Sequence, residues 1–194
     1  MYKNGSIFSG LLIGLAGWIY LSVGGIPGAI LFAIGLACVV WSGSSLYTGK
    51  AGTWSIGFYT VGRDLEGLAE ILVGNVIGCF IVSLVAGASG TINPEALTAI
   101  YTSRESSTLI ETIAKGIGCG FLMELAVWSW REKGSILGVL LCVPAFILSG
   151  MYHSVADSFY YLIRPEFSFI PIWLLTVLGN FIGCNIRRLA MPYK

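Results

Sequence analysis

Four long stretches of this chain carry no charged residue: 4–49, 71–94, 134–156 and 167–186. Each is long enough for a helix of about 20 residues, the length that crosses the hydrocarbon core of a bilayer. Divided at the polar breaks, the pattern predicts six spans, at about 6–24, 27–58, 66–87, 112–130, 135–162 and 167–187. The second and fifth are too long for one straight crossing, and both contain helix breakers. The second holds Ser42-Gly43-Ser44-Ser45-Leu46-Tyr47-Thr48-Gly49-Lys50-Ala51-Gly52, and the fifth holds Leu148-Ser149-Gly150-Met151-Tyr152-His153-Ser154. Interruptions are therefore expected near 43–51 and 149–153. Irregular backbone at membrane depth is tolerated only where it is buried in protein or lines a wet cavity, so these two places mark a solute path.

The chain also repeats itself. Gly74, Asn75, Ile77, Gly78, Cys79 and Ile81 return as Gly179, Asn180, Ile182, Gly183, Cys184 and Ile186. Ser42-Gly43 mirrors Ser149-Gly150, and Leu15-Ala16-Gly17-Trp18 loosely mirrors Leu125-Ala126-Val127-Trp128. Two halves of three spans each, about 1–87 and 112–194, must be inserted in opposite senses because three is odd. Segment 88–111 then connects them on the outer face, and the whole chain, 1–194, is one transmembrane domain. The expected fold class is an all-α integral membrane protein with an inverted repeat and helices 2 and 5 interrupted. Gly74-x-x-x-Gly78, Gly179-x-x-x-Gly183 and Gly116-x-Gly118-x-Gly120 suit close helix packing inside the protomer.

Composition sharpens the class. Of 194 residues, 56% are hydrophobic and 11% charged, against roughly 25% charged in soluble domains. Only Lys3 precedes the first apolar run, and no small-residue cleavage site follows it, so that run reads as a span and not a signal peptide. The net charge of +1 with no basic cluster beyond Arg187-Arg188 gives nucleic acid no purchase. Five cysteines lie in apolar runs without CxxC spacing and read as reduced structural residues. With one histidine, no metal site is expected. Lys3, Arg63, Arg131, Lys133, Arg187, Arg188 and Lys194 fall on one predicted side, Arg104, Lys115 and Arg164 on the other. The positive-inside rule then puts both termini in the cytoplasm.

His153 is the one histidine, at the interruption of the fifth span. An ionisable group at membrane depth is costly and marks a functional position, the other reading being a neutral ring that satisfies broken backbone. Thr48, with Ser44 and Ser45, offers hydroxyls in the second-span break, either to an anion or to loose carbonyls. Leu46 and Tyr47 read as apolar gates or as plain packing. Lys50 either pairs with Glu124 or snorkels to one surface. Asp157, four residues past His153, shares its helical face if the helix resumes there, and would favour a charged imidazole.

Several phrases then resemble the formate/nitrite transporter family, in order and along nearly the full length. Leu46-Tyr47-Thr48-Gly49 is similar to its Leu-Phe-Thr-Gly loop. Ser149-Gly150-Met151-Tyr152-His153-Ser154-Val155-Ala156-Asp157 is similar to its Ser-Gly-Phe-Glu-His-Ser-Val-Ala-Asn stretch. The Leu125–Trp128 phrase matches its fourth helix, and the Gly-Asn-x-Ile-Gly phrases match its third and sixth. The resemblance implies an aquaporin-like homopentamer with one anion pore per protomer. It implies a central histidine at His153, a loop threonine at Thr48, and constrictions at Phe32, Leu36, Leu46, Tyr47 and Phe146. A pore asparagine falls at Asn180. The chain departs from the family at Tyr152 for glutamate, Asp157 for asparagine, Gly120 for asparagine, Glu124 for a small residue, and Lys50 for an uncharged one.

The expected function is passage of small monovalent anions of weak acids through an inner cell membrane. A bare anion in an apolar constriction faces a desolvation cost of several kcal/mol or more, which a proton removes. His153, directly or by relay, is expected to supply that proton, while Lys50 attracts the anion. Partners are the anion, protons, lipid and sister protomers, with no cofactor and no enzymatic activity. Two other readings stand beside this one. A channel for water, glycerol or ammonia is kept open by the polar Tyr152 and acidic Asp157. A non-transporting scaffold is opposed by the two mirrored breaks. Asn93-Pro94, an isolated aquaporin-like dipeptide, carries no weight here.

Overall fold

The computed structural model describes residues 5–52 and 61–191, the side chains of 61–64 excepted. The described residues are helical throughout, with no strand. In chain order the helices are α1 (Ser6–Val23), α2 (Gly25–Ser42), α3 (Tyr47–Lys50), α4 (Val61–Ser89), α5 (Pro94–Glu105), α6 (Leu109–Lys133), α7 (Leu137–Leu148), α8 (Ser154–Ile163) and α9 (Phe169–Ala190). By length and composition, Ser6–Val23, Gly25–Ser42, Leu65–Ser89 and Phe169–Ala190 can each cross a membrane. Helix α6 is as long, but charges at both ends and Glu124 inside lower its hydropathy. Large apolar side chains such as Ile30, Trp41, Leu84 and Leu174 are more than half exposed on these helices. A protein that turns this much hydrocarbon outward sits in lipid or against neighbours.

Both long spans are interrupted where breakers cluster. Helix α2 stops at Gly43, whose φ of 66° is left-handed, and one turn of helix follows at Tyr47–Lys50. Helix α7 stops at Leu148, Gly150 again takes a left-handed φ of 65°, and α8 starts at Ser154. Glycine adopts that conformation without steric cost, which ends the helix cleanly. The predicted end of the second span near Phe58 lies outside the described residues.

The repeated phrase explains itself in packing. A Cβ on Gly74 or Gly78 would collide with α1 at Ser6 and Ile7. One on Gly179 or Gly183 would collide with the α6 backbone at Ile113 and Ile117. The glycines therefore serve contact inside one chain, between α4 and α1 and between α9 and α6. Gly120 faces the Asn180 backbone at a distance that admits no side chain.

The connector differs from expectation. Half of 88–111 is helix α5, started by Asn93, whose Oδ1 accepts the Glu95 and Ala96 N–H groups, with Pro94 in the first turn. Asn-Pro is here a helix start, which needs no second copy. Leu97, Ile100, Tyr101 and Arg104 form the buried face of α5. After it, Thr108 and Glu111 make a reciprocal capping box that opens α6.

Candidate functional site

The two breaks are held open by two asparagines. Asn75 Oδ1 accepts the Tyr47 N–H at 2.9 Å, and its Nδ2 donates to Ser6 O at 2.7 Å and Ser45 O at 3.0 Å. Asn180 does the same on the other side. Its Oδ1 accepts the Ser154 N–H at 2.8 Å, and its Nδ2 donates to Gly116 O and Tyr152 O, both at 2.9 Å. Each asparagine thus closes two backbone groups that a broken helix leaves open, and ties them to a carbonyl of a continuous helix, Ser6 of α1 or Gly116 of α6; buried backbone groups need such partners. The cysteines of the same phrases cross over. Cys79 Sγ lies 3.4 Å from Gly10 O and from Val155 O in the first turn of α8, and shares its one S–H between them. Cys184 Sγ donates to Gly120 O and to Thr48 O in the first break. Cys79 and Cys184 are free thiols, as the composition suggested.

This framework brings Thr48 and His153 together. Thr48 Oγ1 lies 3.1 Å from His153 Nε2, with both residues buried. His153 is also the N-cap of α8, its Nδ1 accepting the Ala156 N–H at 3.1 Å. A nitrogen that accepts carries no proton, so in the neutral ring Nε2 holds it and donates to Thr48. Adding a second proton at Nδ1 requires the ring to give up its cap. At the matching N-cap of α3 stands Leu46, which forms no such bond. Phe146 stacks on His153 with centroids 5.5 Å apart, and Phe32 meets Phe146 edge-on at 5.9 Å. Phe32, Leu36, Leu46 and Phe146 share one buried apolar cluster. A cavity of about 50 Å³ reaches the histidine, lined by Tyr20, Phe146, Met151, His153, Arg104 and Asp157 among others.

Other expected site residues sit differently. Tyr47 is buried, but its hydroxyl donates to Val177 O at 3.1 Å, so one end is polar and engaged. Asn180, expected in a pore, has its amide committed to backbone and acts as a clamp. Lys50 lies in the last turn of α3. Its suggested partner Glu124 binds Arg187 instead, at 2.8–2.9 Å, with Arg131 3.7 Å away. Asp157 does not serve His153. Its Oδ1 takes Arg104 Nη2 at 2.7 Å, so its charge is offset by a guanidinium and is not available to favour a charged imidazole. Tyr152 is fully buried and donates to Ser103 O at 2.8 Å, while Lys115 Nζ donates to its hydroxyl at 3.2 Å. The Arg104 guanidinium lies 4.2 Å over the Tyr152 ring.

The hydrophobic pattern leaves Arg104 among the connector charges, yet it lines the cavity beside His153. The signal was present: Leu97, Ile100, Tyr101 and Arg104 fall at helical spacing on one face, and a buried Asp157 requires a cation. Arg187 was likewise counted as a surface charge and is buried against Glu124. Lys3, Lys194 and the Arg63 side chain lie outside the described residues. No group of three or more His, Cys, Asp or Glu that could hold a metal occurs among the described residues.

The family model described as formate/nitrite transporter matches residues 4–193. The chain belongs to the formate/nitrite transporter family. It is 31% identical over 142 residues to the nitrite transporter NirC of Salmonella typhimurium, covering 65% of this chain and 51% of that protein. It is 28% identical over 145 residues to the formate channel FocA of Escherichia coli, covering 68% and 51%. A solved structure described as a pentameric formate channel with formate bound superposes with a TM-score of 0.81 at 20% identity, over 95% of this chain and 92% of that one. The chain spans about half the length of the curated relatives it matches. The relatives are named as transporters and channels, and with its apolar helices this member is a multi-pass membrane protein.

Proposed function

We propose that this protein is a channel for small monovalent anions of weak acids, passed through each protomer with a proton at His153. The observation that carries the reading is the Thr48–His153 bond, made where two interrupted helices meet inside an apolar cluster and beside a cavity. The positive end of α8 points at the same place, which favours an arriving anion. Two cations, Arg104 and Lys115, stand over the Tyr152 ring, which gives an arriving anion cationic donors beside this approach. The apolar Phe32, Leu36, Leu46 and Phe146 exclude hydrated ions, and a neutral acid passes them at much lower cost. The rival channel for neutral or cationic solutes rested on Tyr152 and Asp157, and both are held by cations. The names of the relatives, nitrite transporter and formate channel, support the anion class.

The same reading takes the chain as one domain over residues 1–194, with six spans in two inverted halves. The paired contacts of Asn75 with Asn180 and Cys79 with Cys184 support that relation. It takes the chain as lying in the inner cell membrane with both termini in the cytoplasm, in contact with lipid. A pentamer is expected, supported by the solved neighbour described as pentameric. Native mass spectrometry in detergent should give five copies; a stable monomer, dimer or tetramer counts against it. The flux test is proteoliposome uptake of formate, nitrite, hydrosulfide, acetate and chloride at two pH values. Weak-acid anions should enter, faster at the lower pH. Equal entry of glycerol and no anion uptake would end this reading.

A further inference from the structure

We propose that Arg104 and Asp157 form the recognition site for the permeating acid, and that the site selects small planar acids with two oxygens. This rests on the anion-channel reading above. An arginine and a carboxylate ordinarily meet as a fork, with two parallel N–H···O bonds. Here one rung is made, from Nη2 to Oδ1 at 2.7 Å. Arg104 Nε and Asp157 Oδ2 are both buried and have no hydrogen-bond partner. The Arg104 side chain is 10% exposed and that of Asp157 1%. Among the described residues five buried side-chain polar atoms lack partners, and these are two of the five. The Tyr161 hydroxyl stands beside the pair, against the Arg104 side chain. Buried polar atoms without partners are rare, and each calls for a reason.

The open valences have opposite character. Nε–H needs an acceptor, and Oδ2 needs a donor. A neutral carboxylic or nitrous-type acid presents both on one small plane, an oxygen lone pair and an O–H. Chloride presents no donor. Hydrogen sulfide presents only a weak S–H donor and a weak sulfur acceptor. The cavity of about 50 Å³, which Arg104 and Asp157 line together with His153, has room for a few heavy atoms and no more. No bond is formed or broken at this station; the acid arrives there already carrying the proton gained at His153, rests, and leaves. The other titratable groups around Asp157 are Tyr160 and Tyr161 on α8, Cys119 on α6 and His153 on the cavity wall. Arg104 is the one permanently charged base among these. Arg104 and Asp157 are thus specificity-determining residues.

The test is a flux ratio in proteoliposomes of the full chain, formate or nitrite against hydrosulfide. Arg104→Lys keeps the cation and loses the planar Nε–H. It should lower the ratio about tenfold, the worth of one hydrogen bond to a charged group. The double variant Arg104→Gln/Asp157→Asn leaves no unpaired charge in the fold and should lower it similarly. A correctly assembled variant with an unchanged ratio overturns the proposal. Should neither variant assemble, competition in the unmodified protein decides. Formate and nitrite should each block the other's uptake more strongly than chloride or hydrosulfide at equal concentration, and equal blocking by all four overturns it. If the unmodified protein carries no anion, the channel reading itself has failed; if it carries anions and the ratio does not move, only this inference has.

Discussion

Asn180→Leu removes the folded channel. The leucine side chain fills the same space but strands the Ser154 N–H and the Tyr152 carbonyl, which Asn180 closes, and cuts the tie to Gly116 of α6. Each stranded buried group costs about 1–3 kcal/mol, so the two together cost on the order of 2–6 kcal/mol. Native proteins carry only about 5–15 kcal/mol of stability in total. Asn75→Leu strands the Tyr47 N–H and the Ser45 carbonyl, cuts the tie to Ser6 of α1, and should fail to the same degree. Cys184→Ala removes only weak S–H donation to Thr48 O and Gly120 O and should be tolerated far better. Elution on size exclusion and thermal melting followed by tryptophan fluorescence read the series. An Asn180→Leu protein that melts with the parent chain would show that the clamp is dispensable.

His153→Asn keeps the protein folded and removes the acid stimulation of flux. Asparagine is among the best N-caps, so the Ala156 N–H retains an acceptor and α8 still begins at Ser154. What disappears is the Nε2–H donated to Thr48, together with the titratable ring at the meeting of the breaks. Uptake of formate between pH 5 and pH 8 should then be flat and at least tenfold slower at the acid end, within the range that a placed proton donor contributes. His153→Phe should give no flux at any pH, because Phe146 already stacks against that position and the ring cannot be hydrated. Thr48→Val leaves the Nε2–H without its acceptor and should lie between the two. An unchanged pH profile in His153→Asn would reduce the histidine to a helix cap.

How much of this was legible beforehand follows from the range of each interaction. Both helix breaks could be read because Gly43 and Gly150 act locally, on their own φ angles. His153 and Thr48 stood out because polar groups in long apolar runs are conspicuous. The connector helix was missed because a short amphipathic stretch of mean low apolarity reads as loop beside much stronger signals. Arg104 was missed with it, and Asp157 was consequently given to the wrong neighbour. The pairing of Asp157 with Arg104 spans 53 positions and that of Glu124 with Arg187 spans 63. No local spacing selects one basic residue over another at that distance.

The amino-acid sequence by itself determined the solvent, the class and the places of interruption. Lipid offers no hydrogen bonds, so charge-free runs must be helices and their breakers must be buried against protein. It determined the family as well, through phrases in a set order. The tertiary structure alone decided what the repeated phrase is for. Asn75 and Asn180 became clamps, Cys79 and Cys184 became ties to the opposite half of the chain, and each buried acid found its arginine. Those choices depend on which backbone groups remain open after the helices have packed, and a buried polar group takes the partner that packing brings within about 3 Å.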